Sequence, residues 1–135
     1  MKNIFFFIAL CSMNIYSQSN SNKIYYKAEG ITQLFMNTKS EILINRPYGN
    51  KVNIEFDTFF KSYYITYYNE KGEYTYFRLS FLKDIDGQIR MNDENNVIYN
   101  VIDNINKNGS LIIQLDQRID NNSMILGITK VVKIN

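Results

Sequence analysis

The sequence predicts an all-β fold: a single antiparallel domain of eight to ten strands, a small barrel first and a β-sandwich as the alternative. Three observations carry this expectation. Short apolar and aromatic runs alternate with polar clusters almost to the end of the chain. Val52, Ile54 and Phe56 alternate with Asn53, Glu55 and Asp57, the period-two pattern of a strand with one buried face. The breaks carry turn chemistry, in Arg46-Pro47-Tyr48-Gly49-Asn50, Asp84-Ile85-Asp86-Gly87 and Asn108-Gly109. With no long linker and no internal repeat, such spacing suits one barrel or sandwich.

The first seventeen residues, MKNIFFFIALCSMNIYS, read as a signal peptide. Lys2 supplies a short positive start, and Ile4 to Leu10 form an apolar run too short to span a bilayer. Cleavage after Ser17 leaves residues 18–135 as the secreted or periplasmic domain. In the alternative, cleavage after Leu10 leaves Cys11 lipidated and the protein anchored to a membrane. Cys11 is the sole cysteine, so the domain has no disulfide and must draw its stability from its core. Loss of Lys2 lowers the formal net charge from +2 to +1. No run of like charge suggests a nucleic-acid partner or an anionic membrane surface. No second apolar stretch is long enough to cross a membrane, so no integral membrane segment is expected.

Strands are expected near Lys23–Ala28, Ile31–Met36, Glu41–Asn45, Lys51–Asp57, Ser62–Asn69, Glu73–Lys83, Gln88–Met91, Val97–Ile102, Leu111–Asp116 and Met124–Lys133. One segment fits two readings. Val97, Ile98, Val101, Ile102 and Ile105 also form a helical stripe, with Asp93 able to cap its start and Gly109 its end, so a short helix near 95–106 is the alternative. Isoleucine and valine separated by asparagine have poor helix propensity, which favours the strand.

The stretch SYYITYYNEKGEYTYF, Ser62 to Phe77, is the most informative. Glu70 to Gly72 read as a three-residue hairpin loop with glycine in the left-handed position. That loop sets Tyr68 opposite Tyr74, Thr66 opposite Tyr76 and Tyr64 opposite Arg78. The other face collects Tyr63, Ile65 and Tyr67 against Thr75, Phe77 and Leu79, with Phe81 beyond, and is expected to be core. The face with Tyr64, Tyr68, Tyr74, Tyr76 and Arg78 combines aromatic area with hydrogen-bonding groups. These five are the candidate ligand-binding residues, since rigid phenols offer stacking area at low entropic cost. Tyrosine also simply favours strands, its hydroxyl reaching solvent at the rim of a core. A two- or four-residue loop would shift the pairing by one and mix the faces.

Catalytic chemistry is sparse. Past the leader there is no histidine, cysteine or tryptophan, which removes Ser-His-Asp and Cys-His catalysis and histidine or thiolate zinc sites. No spacing singles out a pair of carboxylates and no glycine loop cradles phosphate, so no catalytic residue, cofactor or enzyme activity is expected. Asp84, Asp86, Asp93 and Glu94 bracket a short strand and amount to a fragment of a calcium loop, which turn chemistry explains equally well. Asn108-Gly109-Ser110 and Asn121-Asn122-Ser123 match the glycosylation triplet, which matters only in a host that glycosylates.

The leader, KVNIEF, the tyrosine stretch and the closing SLIIQLDQRIDNNSMILGITKV together resemble small secreted β-rich proteins of bacteria, an uncharacterised group. Secreted barrels of lipocalin size, which carry apolar ligands, are the nearest architectural analogy. This chain lacks their Gly-x-Trp entrance motif, and no residue role is carried over. The expectation is non-catalytic binding of a small apolar or aromatic-compatible molecule outside the cytoplasm. The alternatives are a protein-interaction module using an exposed tyrosine face and a structural cell-surface component. A carrier should enclose a cavity lined by both strands of the tyrosine hairpin. A docking module should have a filled core and an exposed aromatic patch.

Overall fold

The computed structural model describes residues 22–134. The signal-peptide and Cys11 readings lie outside them. Nine strands and one helical turn follow one another: β1 (Lys23–Met36), β2 (Ile42–Asp57), β3 (Ser62–Asn69), β4 (Tyr74–Ile85), β5 (Gln88–Asn92), β6 (Ile98–Asn104), α1 (Ile105–Asn108), β7 (Ser110–Leu115), β8 (Ser123–Ile128) and β9 (Val132–Ile134). Each strand from β1 to β7 pairs antiparallel with the next, and β8 pairs with β1, so the meander closes into an eight-stranded barrel. β9 pairs with β1 at Tyr25–Lys27, beyond the end of β8. Closure leaves few backbone groups unpaired at a sheet edge, which is what makes a thin-walled domain viable without disulfides.

Alternate residues of the barrel strands point inward. Ile31, Val52, Ile54, Ile65, Leu79, Met91, Val101, Leu111, Ile113 and Ile128 are all but sealed from solvent and fill the middle of the barrel. Burying one such aliphatic side chain stabilises the fold by about 1.5–3 kcal/mol. Among the described residues no helix is long and apolar enough to cross a membrane.

Three expectations need correction, and the strand reading of the ambiguous segment holds. The two strands foreseen over Lys23–Met36 are one, because Gly30 passes close to the β2 backbone without breaking the pairing; a Cβ there would meet the Gly49 carbonyl oxygen at 3.2 Å. The turn foreseen at Arg46–Asn50 is part of continuous strand β2. Pro47 is tolerated because β3 reaches only as far as Gly49, leaving this part of β2 with β1 as its sole neighbour. Met124–Lys133 divides into β8 and β9 at Thr129–Val131, where Lys130 has a left-handed φ of 55° and Val131 turns its side chain into the core. The ambiguous segment is strand through Asn104. Only Ile105–Asn108 is helical, closed by Gly109 with φ 73° and its N–H donating to the Ile105 carbonyl at 3.0 Å.

The tyrosine hairpin forms as read. Gly72 has φ 76°, its N–H donates to the Asn69 carbonyl at 2.9 Å, and the Asn69 N–H donates to the Glu73 carbonyl at 2.9 Å. Tyr68 pairs with Tyr74, Thr66 with Tyr76, and Tyr64 with Arg78.

Candidate functional site

Barrel closure gives the chain three surfaces worth weighing: an outer aromatic wall and two mouths. The outer wall carries all five candidate residues. Tyr64 and Tyr76 have ring centroids 5.5 Å apart, and Tyr68 and Tyr74 are 5.4 Å apart. The Arg78 guanidinium lies 4.8 Å from the Tyr64 ring centre and the Lys51 ammonium 5.6 Å from that of Tyr68. Tyr74 is 61% exposed and Tyr76 49%, so these phenols face water rather than the barrel interior. Sequence reading missed Tyr25, Lys51 and Ile134 as parts of the same wall. They arrive on β1, β2 and β9, through pairings that no local pattern announces. With Glu55, Tyr64, Thr66 and Tyr74, Tyr25 and Ile134 border a shallow groove of about 220 Å³.

One mouth lies at the end formed by the β2–β3 turn, the β4–β5 turn and α1. Phe56, Tyr63, Phe81, Ile89 and Met91 line a recess of about 350 Å³, with Thr58, Lys61, Asp84 and Asp103 around them. The sequence dictates this lining strand by strand. Phe56 ends the alternating run of β2, Tyr63 and Phe81 are inward positions of β3 and β4, and Ile89 and Met91 are the two inward positions of β5. The rings of Phe56 and Tyr63 lie 4.8 Å apart. Tyr63 is 4% exposed, and its hydroxyl donates to Oδ2 of Asp103, whose Oδ1 accepts the Ile105 N–H at 3.0 Å. Burial first, and the Asp103 carboxylate second, raise the Tyr63 pKa well above the ordinary phenol range. That phenol is a fixed donor, not a base. The Lys61 ammonium sits 5.2 Å from the centre of the Phe81 ring.

The opposite mouth is bordered by the β3–β4 turn. It is larger, about 420 Å³, but its lining of Arg46, Tyr48, Tyr67, Asn69, Glu70, Lys71, Glu73 and Thr75 is mostly polar or charged. Arg46 Nε donates to Gln33 Oε1 at 2.7 Å, and the Tyr48 and Tyr67 rings lie 5.7 Å apart. Burial, then the neighbouring Tyr48, raises the pKa of Tyr67.

Neither mouth contains a candidate wall residue, and the hairpin phenols that point inward, Tyr63 and Tyr67, stand toward opposite ends of β3. The acidic fragment does not assemble. Asp84 and Asp86 sit at one end of β5 and Asp93 and Glu94 at the other, separated by its five residues, or about 17 Å of strand. Their side chains shape turns: Asp84 Oδ1 accepts the Gly87 N–H at 3.0 Å, and Asp93 Oδ1 accepts from Asn95 and Val97 at 2.8 and 3.0 Å. Among the described residues no cluster of three or more acidic, histidine or cysteine side chains could hold a metal ion.

Comparison with protein-family models, with curated proteins and with solved structures finds no match for this chain.

Proposed function

We propose that this chain is a non-catalytic binding protein, acting outside the cytoplasm, that holds a small apolar or aromatic-compatible ligand in the barrel mouth bordered by Phe56, Tyr63, Phe81, Ile89 and Met91. The observation that carries this reading is the recess of about 350 Å³. It falls in the size range of small-molecule sites, which combine an apolar lining with a few placed polar groups. Tyr63 and Phe81 come from the two strands of the tyrosine hairpin, so the hairpin remains central, through its inner face rather than its outer one. The packed middle of the barrel stops a ligand from passing deeper. A shallow site suits a small flat or short-chain molecule with one polar end near Lys61 and Asp103.

A second reading has its own support. The filled middle of the barrel and the exposed Tyr68 and Tyr74, whose rings meet edge to face, suit a protein-docking module.

Native mass spectrometry of the purified chain, paired with titration of an anilinonaphthalene dye, separates the two. Dye binding, or a released mass, that is lost in Ile89→Trp but kept in Tyr68→Ser/Tyr74→Ser supports the mouth. The reverse pattern, with circular dichroism unchanged, moves the site to the outer wall. Failure of the folded wild-type chain to bind the dye or any co-purified molecule counts against the carrier reading.

A further inference from the structure

Phe59 and Phe60 sit at the tip of the β2–β3 turn and are 72% and 69% exposed, more than any other large apolar side chain among the described residues. They are not loosely placed. Asp57 Oδ1 accepts the N–H of both, at 2.9 and 3.0 Å, and the rings meet edge to face at 4.9 Å. The turn is bound to the start of the fold, where Thr58 donates through both its N–H and its hydroxyl to the Asn22 carbonyl, at 2.8 and 2.9 Å. A pinned turn that holds two adjacent phenylalanines out in water maintains an apolar contact surface which nothing in the fold requires.

We infer that this end of the barrel docks onto a lipid surface, with Phe59 and Phe60 entering the headgroup–acyl boundary. The N-terminal part of the chain points to that occupant. The segment carrying the apolar run Ile4–Leu10 joins the fold at Asn22, directly against the same turn. The chain enters the fold at this end, so a membrane-held N-terminal segment, transient or through Cys11, would meet this end of the barrel first. Ile85, the last residue of β4 before the adjoining β4–β5 turn, is exposed at the same end. The outer wall interleaves its exposed tyrosines with exposed Lys27, Asn53 and Arg78, whereas Phe59 and Phe60 project together from the end, which favours end-on contact. Lys61 and Lys83 are balanced nearby by Asp84 and Asp86, so binding rests on the rings and not on lipid charge. The inference stands whether or not the neighbouring mouth holds a ligand. If it does, the apolar opening faces the phase from which an apolar ligand would come.

The chain has no tryptophan, so a single introduced one reports its own surroundings. Full-length Phe59→Trp is mixed with vesicles of phosphatidylcholine, alone or with phosphatidylglycerol. The expected result is a blue-shifted emission on both compositions, insensitive to salt, and partitioning about tenfold weaker when Phe60→Ser is added. Leu43→Trp, which probes the exposed apolar stretch at the other end of β2, should not shift. An unshifted Phe59→Trp overturns the inference, even if the chain is tethered to vesicles by its first residues. So does a shift at Leu43→Trp alone, which would assign docking to the opposite end.

Discussion

Tyr26, Tyr63, Tyr67 and Tyr99 place their hydroxyls where water is scarce, and in each the pKa is raised chiefly by burial. For Tyr99, burial and then the Asp93 carboxylate push the value up to about 12; its hydroxyl donates to Asp93 Oδ2 at 3.2 Å. A raised phenol pKa means the folded chain keeps a proton that the unfolded chain releases near the ordinary value of 10.0. The stability linked to that proton is complete below this value and lost as pH rises through the folded-state pKa. Urea unfolding midpoints should therefore fall as pH is raised from 10 toward 12, the interval set by Tyr99, and Tyr99→Phe should make the fall shallower. Phenolate absorbance followed in parallel should show late-ionising groups that join the ordinary range on unfolding. A midpoint that stays flat across this interval would contradict the burial of these hydroxyls. These partners were not legible in advance: Asp103 lies forty residues along the chain from Tyr63, and Asp93, only six from Tyr99, reads as an ordinary turn residue.

At the scale of the element, β3 and β4 show how much a loop can decide. Side chains alternate with a period of two, so a three-residue loop with one left-handed glycine fixes which phenols share a face. Nothing lies within 4 Å of a Cβ built on Gly72, so Gly72→Ala meets backbone strain alone, about 1–2 kcal/mol. Gly49 is different in kind. A Cβ there would stand 2.3 Å from the Tyr67 ring and 3.1 Å from the Tyr68 carbonyl oxygen. Gly49→Ala should cost about 1–3 kcal/mol by overpacking and should disturb the Tyr67 environment, which Gly72→Ala leaves intact. Equilibrium urea unfolding with near-ultraviolet circular dichroism distinguishes them. The same two glycines mark what sequence could and could not tell. Gly72 lies between strands that pair with each other, so its turn signal was correctly read. Gly49 and Pro47 carried an equally strong turn signal, yet pairing with β1 along its length keeps β2 extended through them.

Across the whole molecule, closure through β1 makes one continuous core from eight strands, and the stability of each depends on the others. Leu79, fully buried at an inward position of β4, should show this: Leu79→Ala should lower stability by about 2–5 kcal/mol in a single cooperative transition. Phe59→Ser, at the exposed turn, should stay within about 0.5 kcal/mol of the parent. Thermal and urea unfolding of the two variants check both statements, and a large cost for Phe59→Ser would mean that the turn is structural rather than available for contact. The apolar mouth belongs to this scale as well. Phe56, Tyr63, Phe81 and Ile89 stand on four different strands, and only the closed ring gathers them around one opening.

The amino-acid sequence by itself determined the β class, the register of the tyrosine hairpin, the separation of its two faces, and the lack of histidine and indole chemistry, and of thiol chemistry past Cys11. These follow from alternation, loop length and composition, all of which act within a few residues. The tertiary structure alone decided that the outer phenols face solvent, that β1 and β2 run unbroken through their glycines, and that apolar residues from β2 to β5 meet at one mouth beside Phe59 and Phe60. Those depend on β1 pairing with both β2 and β8, a contact between distant parts of the chain whose register no short stretch encodes.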